Sequence, residues 1–156
     1  DLTVKKEVTG NQGNRNKDFK FTIKVDGAAG EQYYVTFSDG KAPTTLVSGE
    51  AKTITLKDNE TAKIFGLSET DEYTVTEASY ADDGYKTTMD NVETLTTTGT
   101  ITGNSDKNIT VVNDKTTNSP TGIFLHVAPY IALIGAAIAS SLLFFRRKRA
   151  KDMDID

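Results

Sequence analysis

Over roughly the first 117 positions, apolar and polar residues alternate in short runs, and each run is closed by Gly, Asp or Asn. A period of two places successive side chains on opposite faces of a strand, so one face of each run is destined for a core. Leu2, Val4 and Val8 share a face in a first strand. Phe19, Phe21, Ile23 and Val25 alternate with Lys20, Thr22 and Lys24 in a second, which Asp26-Gly27 ends. Residues 32–37 form a third strand leading into the Ser38-Asp39-Gly40 turn. Residues 51–56 and 61–65 read as a pair joined by Lys57-Asp58-Asn59-Glu60, and 72–78, 86–89, 93–101 and 108–112 complete the set. Residues 10–17 are a polar loop without apolar periodicity, 38–50 supply further loop, and from Asn113 to Ser119 the chain turns polar like a linker. Short strands at regular spacing, rich in Thr and separated by turn residues, predict an all-β sandwich with no helix before the tail.

The alternation stops near residue 122. Ile123 to Phe145 contains no Asp, Glu, Lys or Arg, and Arg146-Arg147-Lys148-Arg149 follows at once. As a helix this stretch would measure about 34 Å, enough to cross a hydrocarbon core with slight tilt. The basic cluster favours the cytoplasmic side, which puts residues 1–117 outside the cell. Read from these residues alone, the tail could be a permanent anchor, with Pro120 and Gly122 as punctuation. However, Asn118-Ser119-Pro120-Thr121-Gly122, the apolar span and the basic stop stand in the order of a Gram-positive sorting signal. The tail resembles LPXTG-type sortase substrates, whose Thr–Gly bond is cut by a membrane-bound cysteine transpeptidase. In that register Asn118 and Ser119 replace the defining Leu and Pro, as in the x-x-Pro-Thr-Gly variants of some streptococcal pilins, which dedicated pilus sortases process. The resemblance implies cleavage at Thr121–Gly122. A glycolipid-anchor signal has a similar layout but normally ends without a basic stop.

Composition narrows the possibilities. Residues 1–117 carry 13 Lys and Arg against 19 Asp and Glu, and with no basic stripe to neutralise phosphates a nucleic-acid partner is not expected. Cysteine is absent, although extracellular domains of this size often depend on disulfides, so some other staple is called for. The chain opens at Asp1 without a signal peptide, which an exported protein requires, so it reads as a mature chain or the C-terminal piece of a longer one. No cofactor or metal is expected. The single histidine, His126, lies in the apolar span, with Pro129 following, and forms no triad or ligand set with its neighbours.

Strand phase places three polar residues on faces meant for the core. Lys6 is in phase with Leu2, Val4 and Val8; Glu77 with Tyr73 and Val75; Asn113 with Ile109 and Val111. A buried lone Lys or Glu is costly unless it finds a partner, so these positions are consistent with one shared site. Among the neighbours, Lys5 would face inward only if the first strand slipped by one residue, Glu72 is out of phase with Val75, and Asp114 should face water. A buried Lys6–Glu77 ion pair without covalent chemistry also fits these residues.

The stretches at 2–10, 17–23, 55–60, 64–67, 73–77 and 109–114 resemble, in order, those of the streptococcal pilin isopeptide linkage domains, relatives of Cna B-type domains. The tail described above, with its sorting-signal order, apolar span and basic stop, predicts a linker and sorting motif over 116–122, a single transmembrane helix over 123–145 and a basic cytoplasmic tail over 146–156. The resemblance of the preceding stretches implies an all-β, Cna B-like, immunoglobulin-type sandwich over residues 1–115. It also implies an intramolecular isopeptide bond between Lys6 and Asn113, with Glu77 as the proton shuttle. Burial would favour a neutral Lys6 amine, which is a nucleophile, and a neutral Glu77 able to polarise the Asn113 carboxamide. Asn rather than Asp at 113 makes ammonia the product.

The expected function is therefore a structural surface protein, an isopeptide-stapled stalk or pilin subunit joined by sortase to a peptidoglycan precursor or to other pilin subunits. The membrane is a partner only before processing. The alternative is an adhesin that binds a host ligand through loops such as 10–17 and 38–50 or through an upstream region. Turnover enzymology has little support, with no Cys, one His and no phosphate-cradling glycine loop.

Overall fold

A computed structural model describes residues 1–103 and 105–117. The sorting motif, the apolar span and the basic cluster lie outside the described residues. Among the described residues ten strands follow one another: β1 (Leu2–Thr9), β2 (Phe19–Asp26), β3 (Gln32–Phe37), β4 (Thr44–Val47), β5 (Ala51–Leu56), β6 (Thr61–Phe65), β7 (Glu72–Glu77), β8 (Lys86–Met89), β9 (Thr96–Thr100) and β10 (Lys107–Asp114). A 3-10 turn, Ala81–Asp83, interrupts the run of strands. Among the described residues no helix is long and apolar enough to cross a membrane.

The strands form two sheets, one ordered β4-β3-β6-β1-β10-β8 and the other β5-β2-β7-β9. Alternation is the reason: β1, β2 and β10 bury every second residue, and those residues meet in a core between the sheets. Leu2, Val4, Val35, Ile64 and Val111 face Phe19, Phe21, Ile23, Leu56 and Val75 across it. The first and last strands are neighbours and run parallel, with Leu2 opposite Lys107 and Thr9 opposite Asp114. The other ladders are antiparallel.

Three features differ from the reading of the sequence. The segments 51–56 and 61–65 do not pair: β5 joins β2 in the smaller sheet, whereas β6 lies between β3 and β1 in the larger. Their connection crosses from sheet to sheet because its polar groups bind β1 instead of closing a hairpin. The Val8 amide donates to Asp58 Oδ1 at 2.7 Å, the Asn59 amide to the Lys6 carbonyl at 2.8 Å, and the Lys6 amide to the Glu60 carbonyl at 2.9 Å. Second, the loop expected over 38–50 contains β4, which buries only Leu46 and so leaves almost no apolar signature. Third, the last strand continues through Asn113 to Asp114, where a linker was expected, while the strand expected over 93–101 is confined to Thr96–Thr100.

Beyond Asp114 the chain is held by the 10–17 loop. The Gln12 amide donates to the Lys115 carbonyl, and the Asn11 side chain both donates to the Thr117 carbonyl and accepts from the Thr117 amide. Gly10 makes this approach possible: its φ is +87°, and any Cβ there would collide with the Lys115 carbonyl.

Candidate functional site

The crossing connection described above fixes Lys6 through both its backbone amide and its carbonyl, and the β1 pleat then aims its side chain inward. From the facing sheet, Glu77 at the end of β7 points across the core. Asn113 lies on β10, opposite Val8 in the parallel pair, and is likewise turned inward. Lys6 and Asn113 are fully buried and Glu77 is 1% exposed.

The three side chains meet. Lys6 Nζ lies 3.1 Å from Glu77 Oε1 and donates to the Val111 carbonyl at 3.3 Å. Asn113 Nδ2 donates to the same Glu77 Oε1 at 3.2 Å. The Phe19 ring centroid is 4.5 Å from Lys6 Nζ, so an aromatic face and not water closes that side. Asn113 Oδ1 is buried without a hydrogen-bond partner. A buried carbonyl left unpaired costs about 1–3 kcal/mol.

Burial governs the protonation of the pair. Removal from water pulls Lys6 down to about 8, against the opposing pull of the Glu77 charge. The same burial pushes Glu77 upward, opposed by Lys6 and by hydrogen bonds from Thr87 and Asn113. Both shifts favour the neutral forms. A neutral amine and a neutral acid beside a carboxamide have the chemistry needed to exchange one amide for another.

The residues weighed as alternatives stand elsewhere. Lys5 pairs with Glu7 at 2.7 Å on the outer face, Glu72 is exposed, and Asp114 accepts a hydrogen bond from Thr9 at an exposed position. Thr87 on β8 escaped the sequence reading: it is buried, lies opposite Asn113, and donates its hydroxyl to Glu77 Oε2 at 3.1 Å. The signal was present, since Thr87 is in phase with Met89 just as Lys6 is with Val8. Phe19 was assigned to the core without its place against Lys6. Asn118 to Gly122, with the Thr121–Gly122 bond, and Arg146 to Arg149 lie outside the described residues. Among the described residues no group of three acidic or His side chains could hold a metal ion.

A family model described as "Domain of unknown function (DUF7601)" matches residues 1–115. A pilin of Streptococcus pyogenes serotype M1 is 38% identical over 96% of this chain and 49% of its own length. The pilus tip adhesin Cpa of Streptococcus pyogenes is 33% identical over 52% of this chain and 12% of its own length. Among solved structures, the major pilin from Streptococcus pyogenes matches with a TM-score of 0.67 and 31% identity, over 74% of this chain and 47% of that one. The chain therefore spans about half the length of the pilins it matches.

Proposed function

The chain belongs to the family described as the domain of unknown function DUF7601, and from that footing we propose that it is a structural pilus subunit stapled by a Lys6–Asn113 isopeptide bond. The buried Lys6–Glu77–Asn113 cluster carries this reading, and the likeness to streptococcal pilins supports it. The neutral Lys6 amine attacks Asn113 Cγ, so that the Nζ–Cγ bond forms and the Cγ–Nδ2 bond breaks. One Lys6 proton passes through Glu77 to Nδ2, which leaves as ammonia, and Glu77 is regenerated. Each molecule reacts once, so this is self-modification without turnover. The likeness to the tip adhesin covers 12% of that protein, which favours a shared stalk module over a shared ligand site.

The reacting pair holds one proton between amine and acid, and adding a second or removing the first stops the reaction. The crosslinking rate should therefore be bell-shaped in pH, rising as Glu77 and Lys6 together lose the extra proton and falling above about pH 8 as the last one leaves. Timed intact-mass measurement after a pH jump gives the profile, and a rate that climbs steadily to pH 10 would remove Glu77 as the acid.

At the C-terminal end, the reading is that a pilus sortase cuts Thr121–Gly122 and transfers the Thr121 carbonyl to an amine of a wall precursor or of another subunit's lysine. The apolar span and Arg146-Arg147-Lys148-Arg149 hold the precursor at the membrane until then. Wall-fraction protein from wild-type cells should lack Ile123–Phe145, and Thr121→Ala should leave the protein in the membrane fraction. Wall-fraction protein that retains the apolar span would return the tail to the role of a permanent anchor.

A further inference from the structure

The two oxygens of Glu77 have different company. Oε1 faces both reacting nitrogens, Lys6 Nζ at 3.1 Å and Asn113 Nδ2 at 3.2 Å. Oε2 faces only the Thr87 hydroxyl, at 3.1 Å. Thr87 holds this place because β8 pairs with β10 and sets it directly opposite Asn113, while Glu77 reaches over from the other sheet. From these contacts we propose that Thr87 is a positioning residue for the crosslinking step, its hydroxyl confining the Glu77 proton to Oε1, where proton transfer is needed. The inference rests on the self-crosslinking reading above.

A single hydrogen decides which oxygen carries the proton. A hydroxyl has one to donate, and Thr87 Oγ1 has no other hydrogen-bond partner among the described residues. If the Glu77 proton sat on Oε2, the hydroxyl would have to accept it, and its own hydrogen would be left unpaired in a buried place. With the proton on Oε1, every polar hydrogen in the contact is used. The carboxylic acid then presents its O–H toward Lys6 and Asn113 and its carbonyl oxygen toward Thr87.

Orientation and acidity can be separated here. By donating to the carboxylate, Thr87 favours the charged form of Glu77, against the upward push of burial. The other groups facing Glu77 are Lys6 from β1, the Asn113 amide from β10 and uncharged Phe21 beside it on β2, while Asp58 and Glu7 act on Lys6. Loss of the hydroxyl therefore yields more neutral Glu77. If acidity were all that mattered, the reaction would quicken; if orientation matters, it slows although more acid is present.

Thr87 also lines a surface pocket of about 380 Å³ with Tyr85, Lys86 and Leu95. Thr87→Val is the first variant to make, because it keeps the shape and removes only the hydroxyl. The full chain is synthesised cell-free into detergent, and intact mass is followed over time across a pH series for wild type, Thr87→Val and Thr87→Ser. We expect Thr87→Val to react up to about tenfold more slowly at the optimum, the upper end for the loss of one hydrogen bond between neutral groups. Its acid limb should move to higher pH, and Thr87→Ser should restore the wild-type rate. A Thr87→Val rate equal to or above wild type, or a Thr87→Ser rate as slow as Thr87→Val, would overturn the proposal. Should Thr87→Val fail to fold by circular dichroism, Thr87→Ala against Thr87→Ser decides on the same terms, since both lack the methyl and only one keeps the hydroxyl. A wild-type chain that never loses mass rejects the crosslinking reading itself, and this proposal with it.

Discussion

The folded unit of residues 1–117 should weigh about 17 Da less than its sequence mass, the loss of one ammonia as the Lys6 amine displaces the Asn113 amide. The ten strands of the described residues and Lys6, Glu77 and Asn113 all lie within this unit. Lys6→Ala and Asn113→Ala each remove one end of the bond and should give the unmodified mass. Glu77→Ala keeps both ends but deletes the proton carrier, and should also give the unmodified mass in a folded domain. Peptide sequencing of the digested wild type should recover the segments around Lys6 and Asn113 as one branched species. Folded wild-type protein at full sequence mass would mean that the cluster is a buried ion pair and nothing more, an arrangement whose desolvation cost can outweigh its attraction.

Asn113→Ala should melt about 12–25 °C below the wild type. The link closes a loop of more than a hundred residues, and by analogy with a disulfide of that span it constrains the unfolded chain by about 4–5 kcal/mol. For a domain of this size each kcal/mol is worth about 3–5 °C at the midpoint. Asn113→Ala is the informative comparison because it leaves Lys6 and Glu77 paired, whereas Lys6→Ala or Glu77→Ala adds the cost of a stranded buried charge. Glu77→Ala should accordingly melt lower still. Scanning calorimetry that finds wild type and Asn113→Ala within a few degrees would show that the bond, if formed, contributes little to stability.

Strand phase was enough to find Lys6, Glu77 and Asn113, because a long polar side chain in an otherwise apolar register is conspicuous, and all three are buried and in contact. Thr87 passed unnoticed for the opposite reason. Threonine is β-branched and common in strands, so its presence at an inward position signals little until its hydroxyl is seen against Glu77. Phase also reports which face a residue occupies, not which strand lies beside it. The segments 51–56 and 61–65 were legible as strands, but their assignment to different sheets depends on Asp58 and Asn59 bonding to β1, a contact about fifty residues distant in the chain. β4 carries one buried apolar residue, too few for a period to be read.

Because β1 and β10 run side by side in the same direction, the chain enters the domain at one end of this strand pair and leaves at the other. With Lys6 joined to Asn113, tension between neighbouring subunits would travel up the first few residues, across the link and out through Asp114. The roughly one hundred residues between could not be drawn out, and on full extension they would otherwise add on the order of 350 Å of slack. A fibre assembled from units linked in this way would be inextensible: under fluid drag it would hold the distance between cell and surface constant, where an unlinked fibre would pay out length domain by domain.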